Sequence, residues 1–146
     1  MKIIIKEFIE WIETIMGFVP GKIGTLIRMI WYRFRWNKAA YIRIRTHSQF
    51  LSPKNILFCG KASLGKFAFF SADGGYIEIG DNFFSNNNLH MNASVNGKII
   101  IGENVLFGPN VVLRTASHNF AANGKLIKDQ GHSFGDIYIE DNVWIG

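Results

Sequence analysis

The chain has one cysteine, Cys59, and three prolines in 146 residues. A single thiol cannot close an internal disulfide, which excludes a cystine-stapled secreted scaffold and suits a reducing compartment. Between Phe58 and Gly60 it reads as a small packed side chain rather than a nucleophile. No Cys/His spacing of a structural zinc site is present. An uncharged apolar run of about 18 residues, the length that spans a bilayer, is lacking too, as is a small-residue cleavage site behind an apolar core. Neither a spanning helix nor a cleaved leader is therefore read. Acidic residues are few, 11 against 16 Lys and Arg, and the surplus is local. Residues 1–50 hold nine Lys/Arg against three Glu (+6), and residues 51–146 hold seven against eight acids (−1). Apolar residues are plentiful: 48% hydrophobic and 14% aromatic content excludes disorder as the main state and allows one ordinary domain with an appendage.

Those apolar residues fall into sixes. IGENVL, FGPNVV and LRTASH, then IEDNVW and IG, put Ile101, Phe107, Leu113, Ile139 and Ile145 first in each hexad and Val105, Val111, Ser117 and Val143 fifth. A helix repeats its apolar face every 3.6 residues and a lone strand every two, so a period of six suits a three-sided coil of short strands. With residues 76–78 and 97–100 inserted between coils, the register extends upstream through Phe58, Leu64, Phe70 and Ile79, Ser85, Met91, Ser85 being the one polar first position. The corner texts IGDN, IGEN and IEDN repeat, and Asn82, Asn104 and Asn142 suit the left-handed backbone of a tight turn. The expected fold is mainly β: a parallel β-helix, or hexapeptide-repeat solenoid, over residues 51–146. It stops at Gly146, in the second position of a hexad, where an open solenoid would expose strand edges and an apolar cross-section. A chain truncated at its C-terminus, poorly soluble or inactive alone, is the expectation.

Residues 1–50 are read as two amphipathic helices and a connector. The first carries Ile5, Phe8, Ile9, Ile12 and Ile15 or Met16 on one face; Gly17, Pro20 and Gly21 break it. The second carries Ile23, Leu26, Ile27, Ile30, Trp31 and Phe34, with Arg28, Arg33 and Arg35 off the stripe. Residues 37–57 connect, Tyr41–Arg45 alternating like an edge strand. Two uses of the helices are open: capping the first coil, or lying in an anionic membrane interface through residues 1–36, as their aromatic and basic composition suggests. The chain is expected in the cytoplasm, peripherally on the inner face of the cytoplasmic membrane. No recognition motif accompanies the basic charge, so nucleic acid is not a partner.

Chemistry centres on His118, where the regular hexads stop and a 20-residue excursion, Asn119 to Tyr138, leaves the scaffold. Long loops on rigid scaffolds usually carry function. His132, within that loop, has no comparable anchorage; His90 should face outward and His47 lies in the connector. A metal is not expected, because the position five after His118 is Asn123 rather than a second histidine. Asn86, Asn87 and Asn88 form a run of amides that reads equally as a sugar-binding element and as a hydrogen-bonded turn or asparagine ladder.

From Gly75 to Gly146 the chain resembles the hexapeptide-repeat acyltransferases, in particular the galactoside, maltose and polysaccharide O-acetyltransferase branch. The matching text is YIEIGDNFFSNNNL, IIIGENVLFGPNVVLRTASHNF and IYIEDNVWIG, and FVPGKIGTLIRMIWYR is similar to the leader of envelope-polysaccharide members. The resemblance implies a left-handed β-helix and transfer of acetyl from acetyl-CoA to a sugar hydroxyl by direct attack. It implies His118 as general base, Asn86 with Asn88 at the acceptor, and Trp144 beside the coenzyme channel. It also implies a homotrimer whose sites lie between subunits. The family's acidic acceptor contact has no counterpart, Asn92 and Asn96 standing in MNASVN instead. The other reading is a non-catalytic solenoid fragment that only associates with membrane or homologous subunits.

Overall fold

The computed structural model describes residues 2–36 and 41–146, so the start of the expected connector, residues 37–40, lies outside the described residues. Helices α1 (Lys2–Phe18) and α2 (Gly21–Arg35) precede a three-faced parallel β-solenoid. One face stacks β1 (Ile42–Ile44), β4 (Ala62–Leu64), β7 (Phe83–Ser85), β10 (Leu106–Phe107) and β15 (Trp144–Ile145). The second stacks β2 (Gln49–Leu51), β5 (Phe69–Ser71), β8 (His90–Asn92) and β11 (Val112–Arg114). The third stacks β3 (Ile56–Phe58), β6 (Tyr76–Ile79), β9 (Lys98–Ile101) and β14 (Ile137–Ile139). Strands β12 (Ala116–His118) and β13 (His132–Phe134) form a separate antiparallel pair.

The period of six becomes three inward columns. Ile44, Leu64, Ser85, Phe107 and Ile145 stand in register on the first face. Phe50, Phe70, Met91 and Leu113 do so on the second, and Phe58, Ile79, Ile101 and Ile139 on the third. Each rung lies ~4.8 Å from the next, so every inward side chain meets its counterparts above and below, and burying each large one contributes roughly 1.5–3 kcal/mol. At the corners Asn82, Asn104 and Asn142 all have φ 58°, the conformation their corner text requires. Asn82 Nδ2 donates to Asn104 Oδ1 at 2.8 Å, and on another edge Asn88 Nδ2 donates to Asn110 Oδ1 at 2.9 Å.

Several local expectations are corrected. The strand read over Tyr41–Arg45 is β1, but it already belongs to the solenoid, as do β2 and β3, so among the described residues the stack starts at Ile42 rather than at residue 51. The residues treated as insertions are partly strand, with Ile77 and Ile99 fully buried. Past the second face the inward residues are Ala72, Ala93 and Thr115, whereas Val95 and Ser117, fifth positions of their hexads, are exposed. All the spare residues of the successive turns sit at this one edge, between the second and third faces. Cys59, expected to be packed, is exposed at the corner after β3.

The helices close the first turn, but not with the apolar stripe expected of α2. Its buried residues are Gly24, Arg28 and Tyr32. Tyr32 and Trp36 stack at 5.0 Å and pack on Phe50 and Phe58, sealing the end of the core. Arg28 is only 2% exposed; its Nε donates to Ile44 O at 2.9 Å, and its Nη1 to Met16 O at 2.7 Å and Val19 O at 2.8 Å. One guanidinium thus ties α1, the interhelix turn and β1 together. Burial lowers its pKa from the ordinary arginine value without an acidic partner, the compensation coming from three carbonyls. Gly24 is required here, since a Cβ would collide with Val19 O.

Two buried polar residues give opposite expectations. Arg28→Met leaves three carbonyls without their charged donor and should lower stability by about 3 kcal/mol or more, read from the chemical-denaturation midpoint. Ser85 Oγ is buried in the first column with no hydrogen-bond partner. Ser85→Ala should therefore raise stability by about 1 kcal/mol in the same measurement, and a loss would show that the hydroxyl is satisfied in solution.

Candidate active site

The solenoid delivers His118 on a hairpin. Thr115, the last buried residue of its turn, donates from Oγ1 to Ser94 O and accepts from Ser94 N, both at 2.9 Å, which fastens the hairpin root to the turn below. Gly135 N donates to Thr115 O at 2.9 Å on the returning side. Between these anchors β12 and β13 pair antiparallel with His118 opposite His132, the ring centroids 4.2 Å apart at 40°. His132, which had no anchorage in the sequence reading, is thus held directly against His118.

The loop beyond folds on itself. Asn119 N donates to Gly131 O and Asn119 Nδ2 to Gln130 O, each at 3.0 Å. Gln130 Nε2 donates to Ala121 O at 3.1 Å and to Lys125 O at 2.9 Å, and Gln130 Oε1 is buried without a partner. The result is an open cavity of about 550 Å³ lined by His118, Asn119, Phe120, Lys125, Asp129 and Gln130 among others. An exposed imidazole at the edge of a cavity with both a cation and a carboxylate can move a proton to or from a bound hydroxyl. Lys125, Asp129 and Gln130 were not singled out in the sequence, where they look like ordinary polar loop residues. Among the described residues no third His, Cys, Asp or Glu joins the histidine pair in a metal-sized group.

The other expected site residues lie elsewhere on the prism. Asn86, Asn87 and Asn88 turn the corner from the first face to the second. Asn88 is occupied in the amide ladder, Asn87 Oδ1 accepts from Lys66 N at 2.8 Å, and Asn86 Oδ1 accepts from Asn87 N at 2.8 Å. The ladder reading therefore describes Asn88, and Asn86 keeps its amide N–H₂ group exposed. Trp144 is 76% exposed on the outside of the first face, in register with exposed Leu106 and Phe84. His118 leaves from the edge between the second and third faces. A face of about six residues at ~3.3 Å each separates the two edges by roughly 20 Å, so one chain does not bring Asn86 and His118 together. His90 sits on the second face, its ring 4.7 Å from Phe69; burial, and secondarily Arg114, hold its pKa below the ordinary histidine value.

No family profile matches the chain, and no solved structure does. Three curated proteins do. A Saccharomyces cerevisiae protein named "Putative acetyltransferase" is 40% identical over 79 residues, 53% of this chain and 38% of that protein. The "Galactoside O-acetyltransferase" of Lactococcus lactis is 32% identical over 71 residues, 48% of this chain and 32% of the relative. A Schizosaccharomyces pombe protein named "Putative acetyltransferase" is 42% identical over 74 residues, again 48% and 32%. The chain thus spans about a third of the length of the curated relatives it matches, and over about half its own length it is similar to proteins named as acetyltransferases.

Proposed function

We propose that the chain belongs to an acyltransferase that moves acetyl from acetyl-CoA to a hydroxyl of a sugar or cell-envelope polysaccharide intermediate. The observation that carries this reading is the placement of His118: on a hairpin fastened to a rigid stack, at the edge of a polar cavity, in a chain about half of which is similar to named acetyltransferases. The galactoside named for one relative makes a galactoside the first acceptor to test.

In this mechanism neutral His118 takes the proton of the acceptor hydroxyl as its oxygen attacks the thioester carbonyl. A C–O bond forms, the C–S bond breaks, and the proton passes to the departing coenzyme A sulfur. The transient oxyanion needs an N–H or O–H donor, and none is assigned among these residues. His132, ring against ring with His118, positions the base. No step in this scheme requires a nucleophilic Ser or Cys or a metal.

The separation of Asn86 and Trp144 from His118 favours a homotrimer. Set side by side, three prisms can oppose the Asn86 edge of one subunit to the His118 hairpin of its neighbour, and exposed Phe84, Leu106 and Trp144 offer an apolar wall for the pantetheine arm. Asn86 then contacts the acceptor, and the hand of the solenoid is left as in the resembling family.

The test is release of coenzyme A thiol by an active form of the protein supplied with acetyl-CoA and a galactoside. His118→Ala should lower turnover about 100-fold or more, the typical contribution of a general base, with coenzyme binding retained. Equal turnover in the variant would remove His118 from the role. His132→Ala touches the base rather than the substrate, so its loss should be smaller, within about 10-fold.

A further inference from the structure

Helix α2 is inside out with respect to its own sequence, and α1, which half-buries Ile9, Ile12 and Met16, leaves a second apolar stripe outside. On α1, Ile4, Phe8, Trp11, Ile15 and Phe18 recur at helical spacing and all are exposed, Ile4 at 72%. On α2, the residues turned to the solenoid are Gly24, Arg28 and Tyr32, while Ile23, Ile27, Ile30 and Phe34 form the outward stripe, Ile23 at 72% and Phe34 at 83%. A soluble cap would bury such stripes. Arg28 prevents it: its three carbonyl bonds hold α2 in the rotation that leaves them out.

Beside the α2 stripe runs a groove of about 530 Å³ lined by Lys22, Thr25, Leu26, Tyr41, Arg43 and Arg45 among others. Leu26 belongs to both the groove and the exposed apolar surface. No carboxylate lines the groove, and among the described residues Lys22, Arg43 and Arg45 have no ion-pair partner. Arg43 lies over the Tyr41 ring at 5.7 Å. Exposed Arg33 adds a further cation on α2, a helix without an acidic residue. On α1, Glu10 pairs with Lys6 and Glu13 turns inward to Trp31 and Arg35, leaving Glu7 as the one other carboxylate of the helix pair.

We infer that the outer faces of α1 and α2, together with the basic groove of Lys22, Arg43 and Arg45, form a docking surface for an anionic lipid bilayer. The apolar stripes enter the boundary between headgroups and acyl chains, and the groove takes lipid phosphates. No described helix is long and apolar enough to cross a membrane, so the contact is interfacial. A second copy is the less favourable occupant, because a two-fold pairing would bring together two faces that each carry Lys22, Arg33, Arg43 and Arg45 with Glu7 as the one unpaired carboxylate of the helix pair. The surface includes Arg43 and Arg45, on and just after β1, outside the helices to which the composition pointed. It is independent of the acetyl-transfer reading: a protein that fails to turn over acetyl-CoA can still bind lipid, and the converse.

The experiment is vesicle flotation of the 146-residue chain at about 0.15 M salt. The vesicles are phosphatidylcholine alone, or with about one third phosphatidylglycerol. The wild type should float with the anionic vesicles and far less with the neutral ones. Phe8→Ser/Ile30→Ser/Phe34→Ser should lower anionic partitioning 10-fold or more. Arg43→Gln/Arg45→Gln, which leaves both stripes intact, should lower it about 30-fold, two cations at about 1 kcal/mol each. Circular dichroism checks that each variant is folded, and the arginine pair carries the test if the apolar triple is not. Flotation that is the same for both vesicle types, or unaffected by either folded variant, overturns the proposal. So does a wild type that ignores lipid and sediments as a dimer through this face.

Discussion

Parallel strands stacked in register constrain everything else in this molecule. Side chains alternate along a strand with a period of two, so a slip of one residue in any rung would turn its column outward and break contact with the rungs on both sides. Column and ladder therefore enforce each other: Phe50, Phe70, Met91 and Leu113 hold the second face in line while its backbone bonds hold them. Spare residues can leave only at a corner, and here they leave at the edge between the second and third faces. The His118 hairpin is the extreme case of a tolerance that each turn shows at the same place. The site's rigidity follows from the stack, and its chemistry from the residues the stack cannot absorb.

The other end of the stack poses the opposite problem, an open apolar cross-section. Tyr32 and Trp36 cover it with aromatic surface, and Arg28 fixes the angle at which they do so. Buried arginine without a carboxylate is tolerable because three backbone carbonyls accept from it. That choice has a consequence for the whole N-terminal segment. With α2 locked by a polar hub, its apolar stripe is displaced to the outside, where α1 also exposes Ile4, Phe8, Trp11, Ile15 and Phe18.

Much of the fold was legible in the sequence because the hexad and its asparagine corners are local signals. Asn82, Asn104 and Asn142 announce their turns through the residues beside them. The first turn was legible only as the alternation of Tyr41–Arg45. Ile44 and Phe50 are six apart like their successors, yet His47, with φ 62°, turns the corner that Asn88 and Asn110 turn in later coils, and a histidine there announces no turn. The buried face of α2 escaped for a different reason: helical periodicity ranks apolar residues as inward, whereas three-carbonyl coordination of Arg28 is a tertiary arrangement. His118 was legible as the end of a regular run. Its partner His132 was not, because the pairing closes across a loop held by Asn119 and Gln130, whose hydrogen bonds have no sequence periodicity.

The functional account rests on His118 acting directly on an acceptor hydroxyl, with no acetyl group resting on the protein. Intact-mass spectrometry of the protein mixed with acetyl-CoA before any sugar is added tests that claim most directly. The account predicts the unmodified mass of the chain, with acetyl leaving the thioester only once a galactoside is supplied. A chain heavier by one acetyl group, which then passes that group to the added sugar, would contradict it.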